Sequence, residues 1–128
     1  MSNIKEGIQY YEEELEDARK HLHALTENCR KMLPKFPVKS PQHTLLLNRI
    51  RALEVSYDVL SDPSGKNSEP KEGMESILEP LASIIRKTQK ALEKAKPHSP
   101  QAKRLERLIK TITISMEHLN VRENRMIE

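Results

Sequence analysis

Five histidines, one cysteine and two stripes of cations are the residues of this 128-residue chain whose side chains could do chemistry. Metal binding from a helix needs ligands at i, i+3 or i, i+4, which place them on one face. His21, His23, His43, His98 and His118 offer no such pair. His21 and His23 are two residues apart and point to different faces of a helix, and no Glu-x-x-His pair of the di-iron bundle type occurs. The sequence therefore predicts no metal and no cofactor.

Cys29 lies at apolar spacing between Leu25 and Met32, where a thiol acts as a small hydrophobe; Arg30 and Lys31 would activate it only by facing it. The chain has three glycines, and no nucleophile elbow, glycine-rich phosphate loop or Cys-x-x-Cys pair occurs. Enzymatic activity is not expected.

The cations are patterned. Lys103, Arg107 and Lys110 recur at i, i+4, i+7, and Arg86, Lys90 and Lys94 recur at i, i+4, i+8, each set along one helical face. Such faces can hold a phosphate backbone or an acidic partner. They can equally stay solvated, or pair with the acidic run Glu12, Glu13, Glu14, Glu16 and Asp17 near the other end of the chain. Pro34 and Pro37 between Lys31 and Lys39 spell the Pro-x-x-Pro pattern that polyproline-binding domains read, although both prolines also serve simply to stop a helix.

The elements that must position these residues are helices. Ile8, Tyr11, Leu15, Ala18, Leu22, Leu25, Cys29 and Met32 alternate at three and four residues, predicting a helix over about 4–32, with Asn3 and Glu6 as a capping box. Ser40 and Pro41 open a second helix through Leu46, Ile50, Leu53, Tyr57 and Leu60. A polar linker follows over 61–73. The third seam runs from Met74 through Ile77, Leu81, Ile84, Thr88 and Leu92, with Pro80 demanding either a nearby start or a kink. Ser99 and Pro100 open the fourth, through Leu105, Ile109, Ile112, Met116 and Leu119. Its stretch Ile109–Met116 also alternates as a strand would, and the caps and flanking period decide for helix.

An offset of 59 positions carries Ser40-Pro41-Gln42 onto Ser99-Pro100-Gln101 and, with no gap, Leu22 onto Leu81, Leu46 onto Leu105, Leu53 onto Ile112, Ser56 onto Ser115 and Leu60 onto Leu119. Period alone explains apolar matches; it does not force the shared cap or the serine pair. The predicted fold is all-α, an antiparallel four-helix bundle built from two duplicated αα-hairpins. Residues 1–128 form a single helical domain, with hairpin one at 1–60 and hairpin two at 74–128. An obligate homodimer completing the same core is the rival arrangement.

Composition agrees with helices: 36% of residues are hydrophobic, 32% are charged, and one Phe and three Tyr leave aliphatic side chains to fill the core. Net charge is +3, which permits an acidic partner without demanding one. A lone cysteine, no signal-peptide pattern and no spanning segment lead to the expectation of a cytoplasmic protein with no membrane partner. The phrase Ser56-Tyr57-Asp58-Val59-Leu60-Ser61-Asp62-Pro63 resembles the last core helix of co-chaperone J domains over eight residues; the His-Pro-Asp tripeptide of that family is absent, so nothing is carried over.

With no chemistry in view, the expected role is protein–protein interaction: an adaptor, small chaperone or assembly subunit that binds another protein or itself. Leu45 and Leu47, beside the seam residue Leu46, are the candidate contact. The alternative is a nucleic-acid-associated protein using the two basic faces.

Overall fold

The computed structural model describes residues 12–62 and 73–127, with side-chain surroundings as far as residue 121. Four helices make it up: α1 (Glu12–Met32), α2 (Pro41–Ser61), α3 (Met74–Lys94) and α4 (Pro100–Ile127), with a short 3-10 turn at Leu33–Lys35. No strand occurs among the described residues, and Ile109–Met116 lies within α4. The predicted capping box at Asn3 and Glu6, the seam residues Ile8 and Tyr11, and most of the linker fall outside the described residues.

The caps are built as their residue types dictate. Ser40 Oγ accepts a hydrogen bond from the His43 N–H at 3.2 Å, and Ser99 Oγ accepts one from the Ala102 N–H at 3.1 Å. Pro41 and Pro100 each take the first helical position, where a missing N–H costs nothing. The chain reaches each cap through a residue in the left-handed region, Lys39 at φ 74° and His98 at φ 65°.

The two hairpin turns agree bond for bond. Phe36 N–H donates to the Leu33 carbonyl and Ser40 N–H to that of Pro37; at the 59-residue offset, Ala95 N–H donates to Leu92 and Ser99 N–H to Lys96. Deeper in the bundle, Ser56 Oγ donates to the Ala52 carbonyl and Ser115 Oγ to the Thr111 carbonyl, again at the same offset.

Each hairpin is antiparallel, and Arg19 of α1 donates from Nη1 to the Leu60 carbonyl in the last turn of α2 at 3.1 Å. The main apolar cluster draws on Leu15 and Leu22, Leu53 and Leu60, Ile77 and Leu81, and Ile112 and Leu119, which come from the linker-proximal half of all four helices. Each such side chain contributes about 1.5–3 kcal/mol by leaving water. Both hairpin tips therefore stand at the opposite end of the bundle. The backbones of α2 and α4 each run close to all three others, whereas those of α1 and α3 stay apart. The inner diagonal of the bundle is the α2–α4 pair.

That diagonal explains where burial departs from the predicted seams. Besides Leu46, Ile50, Leu53 and Leu60, α2 buries a second stripe at Ala52, Ser56 and Val59; α4 likewise buries Thr111, Ile114 and Ser115 beside Ile112 and Leu119. Rotation of the buried face toward this second stripe leaves Tyr57, predicted on the seam, exposed at its rim. Met32, also predicted inside, is 44% exposed because α1 ends there, at the entry to the 3-10 turn. Pro80 sits inside α3, which begins six residues before it at Met74.

Candidate functional site

The cations of the predicted basic faces divide into two sets. On α4, Arg107 reaches Asp17 of α1 through Nη2 at 3.2 Å and Nε at 3.4 Å, and Lys110 Nζ lies 2.9 Å from Glu14. On α3, Arg86 pairs with Glu79 of its own helix at 2.9 Å. The acidic front of α1 thus meets the basic face of α4, and these pairs fasten one hairpin to the other. Lys90, Lys94 and Lys103 stay exposed and make no ion pair among the described residues.

Cations outnumber carboxylates at the tip end. Between Glu27 and Glu54 the chain carries six Lys and Arg and no carboxylate; between Glu79 and Glu106 it carries seven and a single carboxylate, Glu93. Both spans run over a hairpin turn. Carboxylates gather instead toward the linker end, at Glu12, Glu13, Glu16, Asp58, Glu75 and Glu117. Among the described residues, cations are in excess at the tip end and carboxylates at the linker end.

The structure separates Leu45 from Leu47. Residues two apart on a helix point about 200° away from one another, and the buried Leu46 lies between them. Leu45, 38% exposed, is seven residues before Ala52 and so continues toward the tip the same stripe that Ala52, Ser56 and Val59 bury. Leu47, 40% exposed, is on the outer face with Glu54 and Asp58. Among the described residues the most exposed large apolar side chain is Val38, at 74%, in the turn of hairpin one.

The histidines stay apart. His21 is half-buried at the α1–α4 contact with Nδ1 2.8 Å from Thr111 Oγ1, and His118 Nδ1 is 3.0 Å from the Ile114 carbonyl of its own helix. His43 is half-buried, while His23 and His98 are exposed. Among the described residues no three His, Cys, Asp or Glu side chains converge as metal ligands. Cys29 is a free, half-buried thiol whose pKa burial pushes up; the cation that opposes this is Arg49 of α2, rather than its sequence neighbours Arg30 and Lys31. The Arg49 Nε is itself buried with no hydrogen-bond partner among the described residues.

Between α1 and α2 an open groove of about 280 Å³ is lined by His23, Glu27, Glu54, Tyr57 and neighbours, and the Arg30 guanidinium pairs there with Glu27 and Glu54. Its carboxylates Glu27 and Glu54 face a cation already supplied by the chain. Lys31 belongs to α1, and Pro34 lies in the 3-10 turn, so the Pro-x-x-Pro segment is not a continuous extended ligand.

The fold and these surfaces define a four-helix-bundle protein with a basic tip end and an acidic linker end. No described helix is long and apolar enough to cross a membrane. Compared with protein-family models, with curated proteins and with solved structures, the chain matches none.

Proposed function

We propose that this chain is a non-enzymatic helical-bundle protein that binds another protein or a second copy of itself, as an adaptor, small chaperone or assembly subunit of the cytoplasm. The observation that carries this reading is Leu45. It extends the inter-hairpin stripe of α2 one heptad beyond the point where the bundle's own core covers it. An apolar stripe that outruns its cover is the feature by which helical proteins accept a partner helix. Leu47 adds a second exposed leucine on the outer face of the same turn.

The agreement of caps, turn hydrogen bonds, left-handed residues and buried serines at one 59-residue offset supports a repeated hairpin as the unit from which the bundle is built. The nucleic-acid alternative keeps Lys90, Lys94 and Lys103, while Arg86, Arg107 and Lys110 are occupied by Glu79, Asp17 and Glu14.

The test is sedimentation velocity on the purified chain, alongside affinity capture with the chain as bait, for wild type, Leu45→Asp and Leu47→Asp. The expected result is a dimer or a specific partner that Leu45→Asp abolishes, with far-UV circular dichroism unchanged. Loss of helicity in Leu45→Asp would instead make this residue part of the core. A wild-type monomer that captures nothing would overturn the reading.

A further inference from the structure

We infer that the tip end of the bundle is a docking surface for an anionic lipid bilayer, with Val38 and Met32 entering the interface and the lysines of both hairpin turns meeting the head groups. This goes beyond protein binding and uses different residues. It also requires no spanning helix, so the expectation of no membrane partner, which rested on the absence of a spanning segment, does not bear on it.

Charge comes first. Lys31, Lys35 and Lys39 on tip one, and Lys94, Lys96 and Lys103 on tip two, are exposed and have no ion pair among the described residues. The shared linker-end core of all four helices sets both tips at the same end, so the two groups can meet one surface together. Each Lys or Arg near an anionic membrane strengthens binding about fivefold. Most of the described carboxylates lie toward the far end, with Glu27, Glu93 and Glu106 outnumbered by cations on the tip side, so the molecule's own field turns this end toward a negative surface.

Shape selects the kind of anionic partner. Among the described residues Val38 is the most exposed large apolar side chain, and it sits in a turn between Lys35 and Lys39, six residues after the exposed Met32. An apolar side chain at the apex of a turn is a protrusion, which a bilayer interface accepts and which a peptide lying in a groove cannot cover. Nucleic acid would use the lysines and leave Val38 in water. Of the Phe, Tyr and Trp rings on which bases stack most strongly, this end carries only the half-buried Phe36 among the described residues, and its one exposed ring is the His98 imidazole. The second tip repeats the backbone of the first and keeps the charge, with Lys94 at the position of Lys35 and Lys90 at that of Lys31. It lacks the apolar apex, since Pro97 stands where Val38 does. One tip therefore supplies insertion and charge, the other charge alone; a peripheral protein needs both signals for stable binding.

The experiment is co-sedimentation of the full chain with vesicles of phosphatidylcholine alone and of phosphatidylcholine with about one third phosphatidylserine, at low and high salt. The expected result is partition onto the serine-containing vesicles only, lost at high salt. Lys35→Glu with Lys96→Glu should weaken it by at least about 25-fold. Val38→Ser should weaken it with no change in salt dependence. Lys20→Glu, the same charge change on α1 away from the tips, should weaken it far less than Lys35→Glu alone. No partition, equal partition onto neutral vesicles, or equal sensitivity to Lys20→Glu and Lys35→Glu would each overturn the proposal. Binding to a short nucleic-acid duplex, abolished by the tip reversals, with no partition onto vesicles would overturn it in favour of a phosphate backbone. Circular dichroism of each variant shows that the fold is retained, as expected for exposed positions.

Discussion

His21 on α1 and Thr111 on α4 are joined by a 2.8 Å hydrogen bond between Nδ1 and Oγ1, a bond from one hairpin to the other. Burial pushes the His21 pKa below the ordinary imidazole value, the Arg107 guanidinium of α4 pushes it further the same way, and the Asp17 carboxylate one turn back on α1 opposes them. The Glu14–Lys110 pair lies on the same contact. The unfolded chain therefore takes up the imidazole proton at higher pH than the fold does. The stability that His21 contributes is present above its unfolded pKa, about 6.5, and is lost as pH falls through the lower folded value. His21→Asn keeps a polar group near the Nδ1 position and removes the titration. Urea midpoints of wild type and variant, measured from neutral pH down to about pH 5, should converge as pH falls. A constant gap would show that the imidazole does not titrate against the fold.

Leu53 and Ile112 occupy matching places on the two inner helices and are 1% and 0% exposed. Leu53→Asp or Ile112→Asp buries a carboxylate in the main cluster, where no cation is within the apolar set, and should cost about 3 kcal/mol or more. Chemical denaturation of each variant checks this. A small change would mean that the helix face is not the one described.

The same residues show what was legible in the amino-acid pattern. Leu22, Leu53, Leu81 and Ile112 all recur at helical spacing because a long apolar side chain announces its own burial, and all four are buried. Ala52, Ser56, Thr111 and Ser115 are just as buried yet left no trace in an apolar period, being small or polar. They matter because α2 and α4 pack on more than one side, a property of three-dimensional neighbours that a single helix cannot display. The complementarity of acidic α1 and basic α4 was likewise readable from charge blocks. Which cations would be consumed by it was not: Arg107 and Lys110 are separated from Lys103 by one and two turns, and only the crossing of α1 over α4 decides between them.

Pro80 lies at the seventh position of α3, past the first turn. Its ring nitrogen carries no hydrogen, so the Ser76 carbonyl loses the donor four residues on, and the ring crowds the turn before it. The helix nonetheless runs through, held by Ile77 and Leu81 in the core on either side. Pro80→Ala should therefore raise stability, by about 1–3 kcal/mol, without moving the helix. Thermal and urea unfolding test it. A destabilised Pro80→Ala would show that the proline helps to start α3 by stiffening the chain after the linker.

Ser56 and Ser115 are fully buried on the two helices of the inner diagonal, and each donates its hydroxyl to the carbonyl four residues earlier, Ala52 at 2.8 Å and Thr111 at 2.9 Å. Satisfying the hydroxyl within its own helix leaves nothing polar to be answered across the interface, so the side chain acts there as little more than a small spacer. Replacement by alanine removes donor and desolvation cost together and should change stability by no more than about 1 kcal/mol at either position. Replacement by leucine must force the helices apart or twist neighbouring rotamers, at a cost of about 1–3 kcal/mol or more. If the two hairpins are equivalent at this level, Ser56→Leu and Ser115→Leu should rank alike in denaturation midpoint, and the double variant should cost less than the two singles added, because the first already opens the diagonal. Full additivity would mean that the two serines report on separate contacts.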